Sequence, residues 1–281
     1  MEKLLLVDGM NLLFQMFFGM PARIVNHEGK AIQGTLGFVG ALLKIIRMTS
    51  PTHIAVLFDG EHQNPRVSLD ENYKANRPDY SDTPEEEMPF SQLPDVYSAL
   101  DFLGILYAET LTCETDDWIA GYVSKYKSDC EIVISSFDSD FFQLIDDNVK
   151  VLRYRGDSST LCDEKYINQK LGISPSLYAD FKSLTGDTAD NIKGADKVGP
   201  KTAAWLINQF GSLENILANA ENISKPAVKK SIISNSEKLL KNYQLIKLSG
   251  ECELPFELSK LEYSYTEITT TEVLRSIDLK R

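Results

Sequence analysis

Leu4-Leu5-Leu6-Val7-Asp8-Gly9 and Ala55-Val56-Leu57-Phe58-Asp59-Gly60 decide the fold of this 281-residue chain. Each is a short apolar run that stops at an Asp-Gly pair, the pattern of a strand buried on both faces and ended by a turn. Runs of the same kind stand at Ile105–Ala108 and Glu131–Ser135, and Val149–Tyr154 adds a further strand. Between them the spacing becomes helical. Thr35–Met48 repeats apolar residues at Leu36, Val39, Leu42, Leu43 and Ile46, and Pro94–Leu103 and Thr115–Tyr126 behave likewise. Strands alternating with helices predict an α/β fold, a doubly wound, mostly parallel sheet with helices on both faces.

Past about residue 165 the strand-like runs stop and helical ones follow one another, punctuated at Gly172–Pro175, Gly186–Asp190 and Gly194–Pro200. An all-helical second part is expected there, with Glu237–Leu248 as a late amphipathic helix. The chain divides on this reading into an α/β domain over 1–165 and a helical region over 166–281. A stretch of about residues 60–90 has almost no apolar periodicity and reads as a long excursion from the sheet, an arch or a mobile loop. No apolar run is long enough to span a membrane and the N-terminus lacks a signal-peptide core, so a cytoplasmic protein with no membrane partner is expected. Four cysteines without CxxC spacing exclude zinc ribbons, thioredoxin-type motifs and disulfide scaffolds.

In an open parallel sheet, ligands collect outside the carboxyl ends of the strands. Those positions are acidic here: Asp8, Asp59, then Glu114, Asp116 and Asp117 in ETDD, then Asp138 and Asp140 in SSFDSD. A single aspartate at a strand end is commonly a helix cap or turn residue. Four acidic strand ends together are not explained that way, because converging carboxylates need protons, cations or a metal, and hard oxygen ligands select Mg2+ or Mn2+. Asp187 and Asp190 in LTGDTADN stand three apart and raise the set to nine. The net charge of −12 argues against a nucleic-acid partner, yet setting nine carboxylates aside leaves −3, and two divalent cations bring it to about +1.

Cations suited to a phosphate backbone follow Asp59. Arg66 comes first, then Asn72-Tyr73-Lys74-Ala75-Asn76-Arg77, with Tyr73 as an aromatic on which a base could stack. A solvated helix face is the ordinary explanation of such a cluster. In the helical part Gly199 and Pro200 open a helix with Lys201 and Thr202 in its first turn, where backbone N–H groups bind phosphate without reading sequence. A simple loop-to-helix start has the same pattern. Trp118 and Trp205 read as core.

These residues together resemble the 5′ nuclease superfamily, the 5′–3′ exonuclease domain of bacterial DNA polymerase I and the flap endonucleases. The resemblance runs in order through VDG at Asp8, FDG at Asp59, NYKANR, ETDD, SSFDSDFFQL and LTGDTADNIKGADKVGPKTA, from Leu4 to about Leu248. It is most similar to stand-alone bacterial homologues, with no room for a polymerase or proofreading domain. The resemblance implies a PIN-like catalytic domain and a helix-hairpin-helix-like motif. It further implies a two-metal phosphodiesterase, a 5′–3′ exonuclease or 5′-flap endonuclease acting as a monomer on branched or 5′-ended duplex DNA and on RNA–DNA hybrids. Asp8, Asp59, Glu114 and Asp116 would hold one ion, Asp138, Asp140, Asp187 and Asp190 the second, with Asp117 between. Lys74 and Arg77 would contact the scissile phosphate as catalytic cations. The hairpin would hold K+ through backbone carbonyls, with Val198 as the candidate contact. Gln15 replaces a usual arginine, and Lys197, after Asp196, replaces a usual glycine, which predicts a differently shaped hairpin. A PIN-type ribonuclease and a non-catalytic junction-binding module are the alternatives.

Overall fold

The apolar runs form strands because their side chains fill two cores at once. In the computed structural model, which describes residues 2–60, 65–76, 83–84 and 87–280, β1 (Glu2–Asp8), β2 (His53–Phe58), β3 (Leu106–Glu109), β4 (Cys130–Ser135), β5 (Val149–Arg153) and β6 (Thr160–Cys162) make one six-stranded sheet. Its order is β3-β2-β1-β4-β5-β6, parallel except for the antiparallel β5–β6 hairpin at one edge. Leu4 and Leu6 face one core while Leu5 and Val7 face the other, as the two-residue period of a strand requires. All four are fully buried, each stabilising the fold by roughly 1.5–3 kcal/mol.

Helices α1 (Gly9–Gly19), α2 (Gln33–Thr49) and α3 (Leu93–Leu103) cover the Leu5/Val7 face, and α4 (Thr115–Tyr126) covers the other. The helical region comprises α5 (Glu164–Leu171), α6 (Tyr178–Thr185), α7 (Pro200–Phe210), α8 (Leu213–Ala218), α9 (Pro226–Ser234) and α10 (Ser236–Ile246). It shares the α4-side core: Leu206, Ile207, Ile216 and Ile232 belong to the same apolar cluster as Leu4 and Ile132. A last helix, α11 (Thr270–Ser276), is started by a capping box between Thr269 and Glu272 and lies on α2 and α3.

Two features depart from the sequence expectation. The second part is not wholly helical, because β7 (Gly186–Asp187) and β8 (Ile192–Lys193) form a two-residue antiparallel ladder around the Asp187–Asp190 turn. Strand β6 was also not anticipated; three residues are too short for periodicity to register. Strand β1 neighbours β2 on one side and β4 on the other, so the crossovers reverse there and open a crevice at the carboxyl ends.

Candidate active site at the carboxyl edge of the sheet

The Asp-Gly pairs end their strands where space is tight. A Cβ on Gly9 would lie 2.4 Å from the Phe58 ring, and one on Gly60 would lie 2.1 Å from the Thr110 carbonyl oxygen. Glycine therefore lets each chain turn immediately after its aspartate. Asp8 caps α1, accepting from the Asn11 backbone N–H at 3.0 Å, and also accepts from the Ser136 hydroxyl at 2.8 Å. Asp59 accepts from the backbone N–H of Thr115 at 2.9 Å, tying β2 to the start of α4. The capping role and the clustering role therefore coexist.

Asp8, Asp59, Glu114, Asp116 and Asp138 line one cleft of about 1030 Å³, together with Asn11, Phe14, Lys74 and Glu109. Burial, opposed by the Asn11 bond and reinforced by the Asp59 and Asp138 charges, pushes the Asp8 carboxyl up to about 7. Burial also raises Asp116 well above the carboxylate range, with Asp138 and Asp8 adding repulsion. Glu114 goes the other way: burial raises it, but Lys74 and Arg66 both pair with it and hold it below its ordinary value.

A second group lies beside the first. Carboxylate oxygens of Asp140, Asp187 and Asp190 all come within 4.8 Å of one another. Lys182, on α6, pairs with Asp187 and stands 3.8 Å from Asp140. Asp138 links the groups, since its carboxylate accepts from the Asp140 backbone N–H at 2.8 Å. Burial and the Asp138 charge raise Asp140 to about 8 in spite of Lys182, and one of its oxygens is buried with no hydrogen-bond partner. That oxygen, without a hydrogen bond and 3.8 Å from the Lys182 ammonium, sits among hard oxygen donors and fits a divalent cation.

The cations are distributed differently from the sequence reading. Lys74 does reach the cleft, pairing with Glu114 from a left-handed backbone conformation (φ 59°) pinned by its N–H to the Asp190 carbonyl at 3.0 Å. Arg66, read as a DNA contact, is instead 8% exposed and bridges Glu114 and Asp117. It thereby offsets two largely buried carboxylates at the start of α4, alongside Lys74 on Glu114 and the Ser249 N–H on Asp117. Tyr73, read as a stacking platform, is 6% exposed and packs with Ala179, Ile192, Leu245 and Ile246. Asp117 does not line the cleft; besides Arg66 it accepts from the Ser249 backbone at 3.1 Å. Arg77 lies outside the described residues.

Gly199 caps α7, with Lys201 exposed and Thr202 half-buried in the first turn. Lys197 takes up φ 63°, the left-handed conformation that favours glycine, and the Val198 N–H closes the turn onto the Ala195 carbonyl at 3.2 Å. The hairpin keeps a glycine-type turn at the cost of strain in one lysine. Gln15 donates to the Tyr154 carbonyl at 2.8 Å and so ties α1 to the end of β5.

Sequence reasoning missed three contributors. Glu109 ends β3 and obeys the strand-end rule that found the others. Ser136 and Lys182 carried no pattern of their own, because their partners come from other elements.

This arrangement, acids at four neighbouring parallel strand ends beside a second acidic group from the 3-10 turn after β4 and the β7–β8 turn, belongs to a chain that known family models match. The family model described as "5′-3′ exonuclease, N-terminal resolvase-like domain" matches residues 3–172, and that described as "5′-3′ exonuclease, C-terminal SAM fold" matches residues 173–269. This chain belongs to the 5′–3′ exonuclease family. A 5′–3′ exonuclease of Aquifex aeolicus is 30% identical over 285 residues, covering 99% of this chain and 96% of that protein. The thermostable DNA polymerase I of Thermus thermophilus is 32% identical over 259 residues, 92% of this chain but only 30% of the polymerase. Among solved structures, T5 5′-exonuclease with bound zinc ions superposes with TM-score 0.72 at 21% identity, covering 88% of this chain and 90% of that one. The catalytic core of Rad2 in complex with DNA superposes with TM-score 0.62 at 17% identity, covering 98% and 87%. These two likenesses concern the fold. No helix among the described residues is long and apolar enough to cross a membrane.

Proposed function

We propose that this 5′–3′ exonuclease family member hydrolyses phosphodiester bonds in 5′-flapped and 5′-ended duplex DNA, and in RNA–DNA hybrids, as a monomer using two Mg2+ or Mn2+ ions. The observation that carries this is the division of the carboxylates into a strand-end group and the Asp140–Asp187–Asp190 group, joined through Asp138. Asp8, Asp59, Glu114 and Asp116 would hold one ion, and Asp138, Asp140, Asp187 and Asp190 the other. Asp117 acts instead through Arg66 and Ser249. Such ions, when bound, lower the pKa of water and offset charge on attacking and leaving oxygens.

The protein's own groups do the rest. Ser136 and the Asn11 backbone orient Asp8, and Thr115 orients Asp59. Lys74 is the cleft cation that can turn from Glu114 towards phosphoryl oxygens, where charge grows in the transition state; Arg77 is its proposed companion. Helix α7, with Lys201 and Thr202 at its exposed start, suits a duplex backbone. K+ at this hairpin, with the Val198 carbonyl as contact, belongs to the same proposal, supported by the glycine-like φ of Lys197.

The test is a 5′-flap duplex labelled separately at each end, incubated with Mg2+, Mn2+ or EDTA. We expect release of 5′-end products with either metal and none in EDTA. Undiminished cleavage in EDTA would remove the two-metal reading, and equal rates on single strands would remove the duplex role.

A further inference from the structure

The sheet edge changes sign across its width. From β3 to β4 the residues at or just after the strand ends are Glu109, Asp59, Asp8 and Asp138, all acidic and all lining the cleft. At the next strand the edge turns basic: β5 ends at Arg153, and Arg155 follows two residues later. Both guanidinium groups lie against Phe137, the residue before Asp138, with their carbons 5.1 Å (Arg153) and 5.0 Å (Arg155) from the ring centroid. Phe137 is itself fixed, its N–H donating to Asn11 of the cleft at 3.0 Å.

The two arginines are not equivalent. Arg153 donates to the Phe137 carbonyl at 3.1 Å and holds in place the loop that carries Asp138. Arg155 is exposed, and among the described residues no carboxylate lies within 4.0 Å of it. Its backbone is nevertheless fixed by a tight turn: its N–H donates to the Ser159 hydroxyl at 2.9 Å and its carbonyl accepts from Ser158 at 3.1 Å. An exposed guanidinium laid on an aromatic ring and held by a closed turn, with no ion pair even to Asp157 of the same turn, is pre-organised for an anion.

Neighbouring strands are ~4.8 Å apart, so the step from β4 to β5 is of the order of one nucleotide's advance along a strand. We propose that Arg155 binds a backbone phosphate adjacent to the one cleaved, so that the substrate strand crosses the sheet edge from the acidic cleft onto the β5–β6 hairpin. Lys74 then serves the cleft from the Glu114 side and Arg155 receives the strand on the β5 side. The contact is sequence-independent, because it reads phosphate and no base. This inference rests on the nucleic-acid reading of the cleft.

The test is Arg155→Ala and Arg155→Lys against the parent protein. The readouts are melting temperature and affinity for a 5′-flap duplex at several salt concentrations, with Ca2+ in place of Mg2+ to keep the DNA intact. For Arg155→Ala we expect an unchanged melting temperature, several-fold weaker binding at low salt, and a log–log salt slope shallower by about 0.7–0.9. Arg155→Lys should keep most of the slope, since charge survives without the planar stack. An unchanged slope in Arg155→Ala overturns the proposal. A lowered melting temperature with parental affinity, or an Arg155→Lys variant no better than alanine, assigns the stack a structural role and overturns it as well. A parent that shows no salt-dependent DNA binding removes the functional reading and this site together, whereas a parent that binds normally beside an unaffected Arg155→Ala removes this site alone.

Discussion

The two acidic groups face the same electrostatic problem and meet it in different ways. The strand-end group is set at and just after the ends of parallel strands in the central sheet, and part of its charge is compensated by Arg66, which is buried and does not line the cleft. The Asp140 group draws on a 3-10 turn after β4 and on the β7–β8 turn, and its counter-charge, Lys182, stands directly among the carboxylates. The strand-end cleft also holds a cation, Lys74, which pairs with Glu114, whereas Lys182 meets two carboxylates of its group, Asp140 and Asp187. Burial, with repulsion from neighbouring carboxylates added, raises carboxyls in both groups: Asp8, Asp116 and Asp140.

The largest expected effect tests whether the second group is chemically equivalent to the first. Asp140→Asn should lower single-turnover cleavage by at least about a hundredfold, the range for lost electrostatic stabilisation. DNA affinity should hold or rise and the metal-free melting temperature should hold or rise, because the amide cannot ionise beside Asp138, Asp187 and Asp190. Lower thermal stability with near-normal turnover would break the parallel and leave Asp140 as a turn residue.

Lys74→Ala is expected to cost about 3 kcal/mol in the transition state, also about a hundredfold, with little change in binding. Unchanged single-turnover rates would reduce Lys74 to a counter-ion of Glu114. The comparison with Lys182→Ala sharpens the contrast, because that variant should be felt first in stability: removing a partner from largely buried carboxylates lowers the metal-free melting temperature, and saturating Mg2+ should recover most of it. If Mg2+ recovers nothing, Lys182 and metal do not serve the same charge.

A pH series checks both groups together. Asp8 titrates near 7 and Asp140 near 8 in the folded protein against an ordinary value of 3.8. Between those values the folded chain holds protons that the unfolded chain has released, so metal-free stability should fall as pH rises from about 4 to 8. Bound metal displaces those protons, and the slope should flatten in saturating Mg2+. Scanning melting temperature over pH 5–9 in EDTA and in Mg2+ measures this, and a metal-free stability that rises across that range would contradict the raised carboxyls. The smallest effect lies outside both groups: Lys197→Gly should stabilise the protein by ~1 kcal/mol by releasing the strained left-handed turn, read by denaturant titration.

Much of the molecule was legible in one dimension because its signals are local. Apolar runs of four to six residues ended by Asp-Gly marked β1 and β2, helical spacing placed α4 at Thr115–Tyr126 as the structure has it, and the strand-end rule collected most of the cleft acids. Glu109, at the end of β3, obeys the same rule and lines the cleft with them. What the sequence could not assign was the partner of each charge. Arg66 and Lys74 are eight residues apart and equally basic on paper, yet one is buried between Glu114 and Asp117 while the other reaches the cleft. Tyr73 was indistinguishable from a stacking platform until Ala179, Ile192 and Leu245 closed over it from the helical region. Lys182 gained its meaning from Asp140 and Asp187, which other elements bring to it, and Arg155 from a phenylalanine on the neighbouring strand end. Sequence periodicity reports which face of an element is apolar, and that determined the sheet, its helices and the acidic edge. Burial and pairing of a charge depend on other chain segments, 48 residues away for Arg66 with Glu114 and 128 for Asp8 with Ser136, and only the tertiary structure decided them.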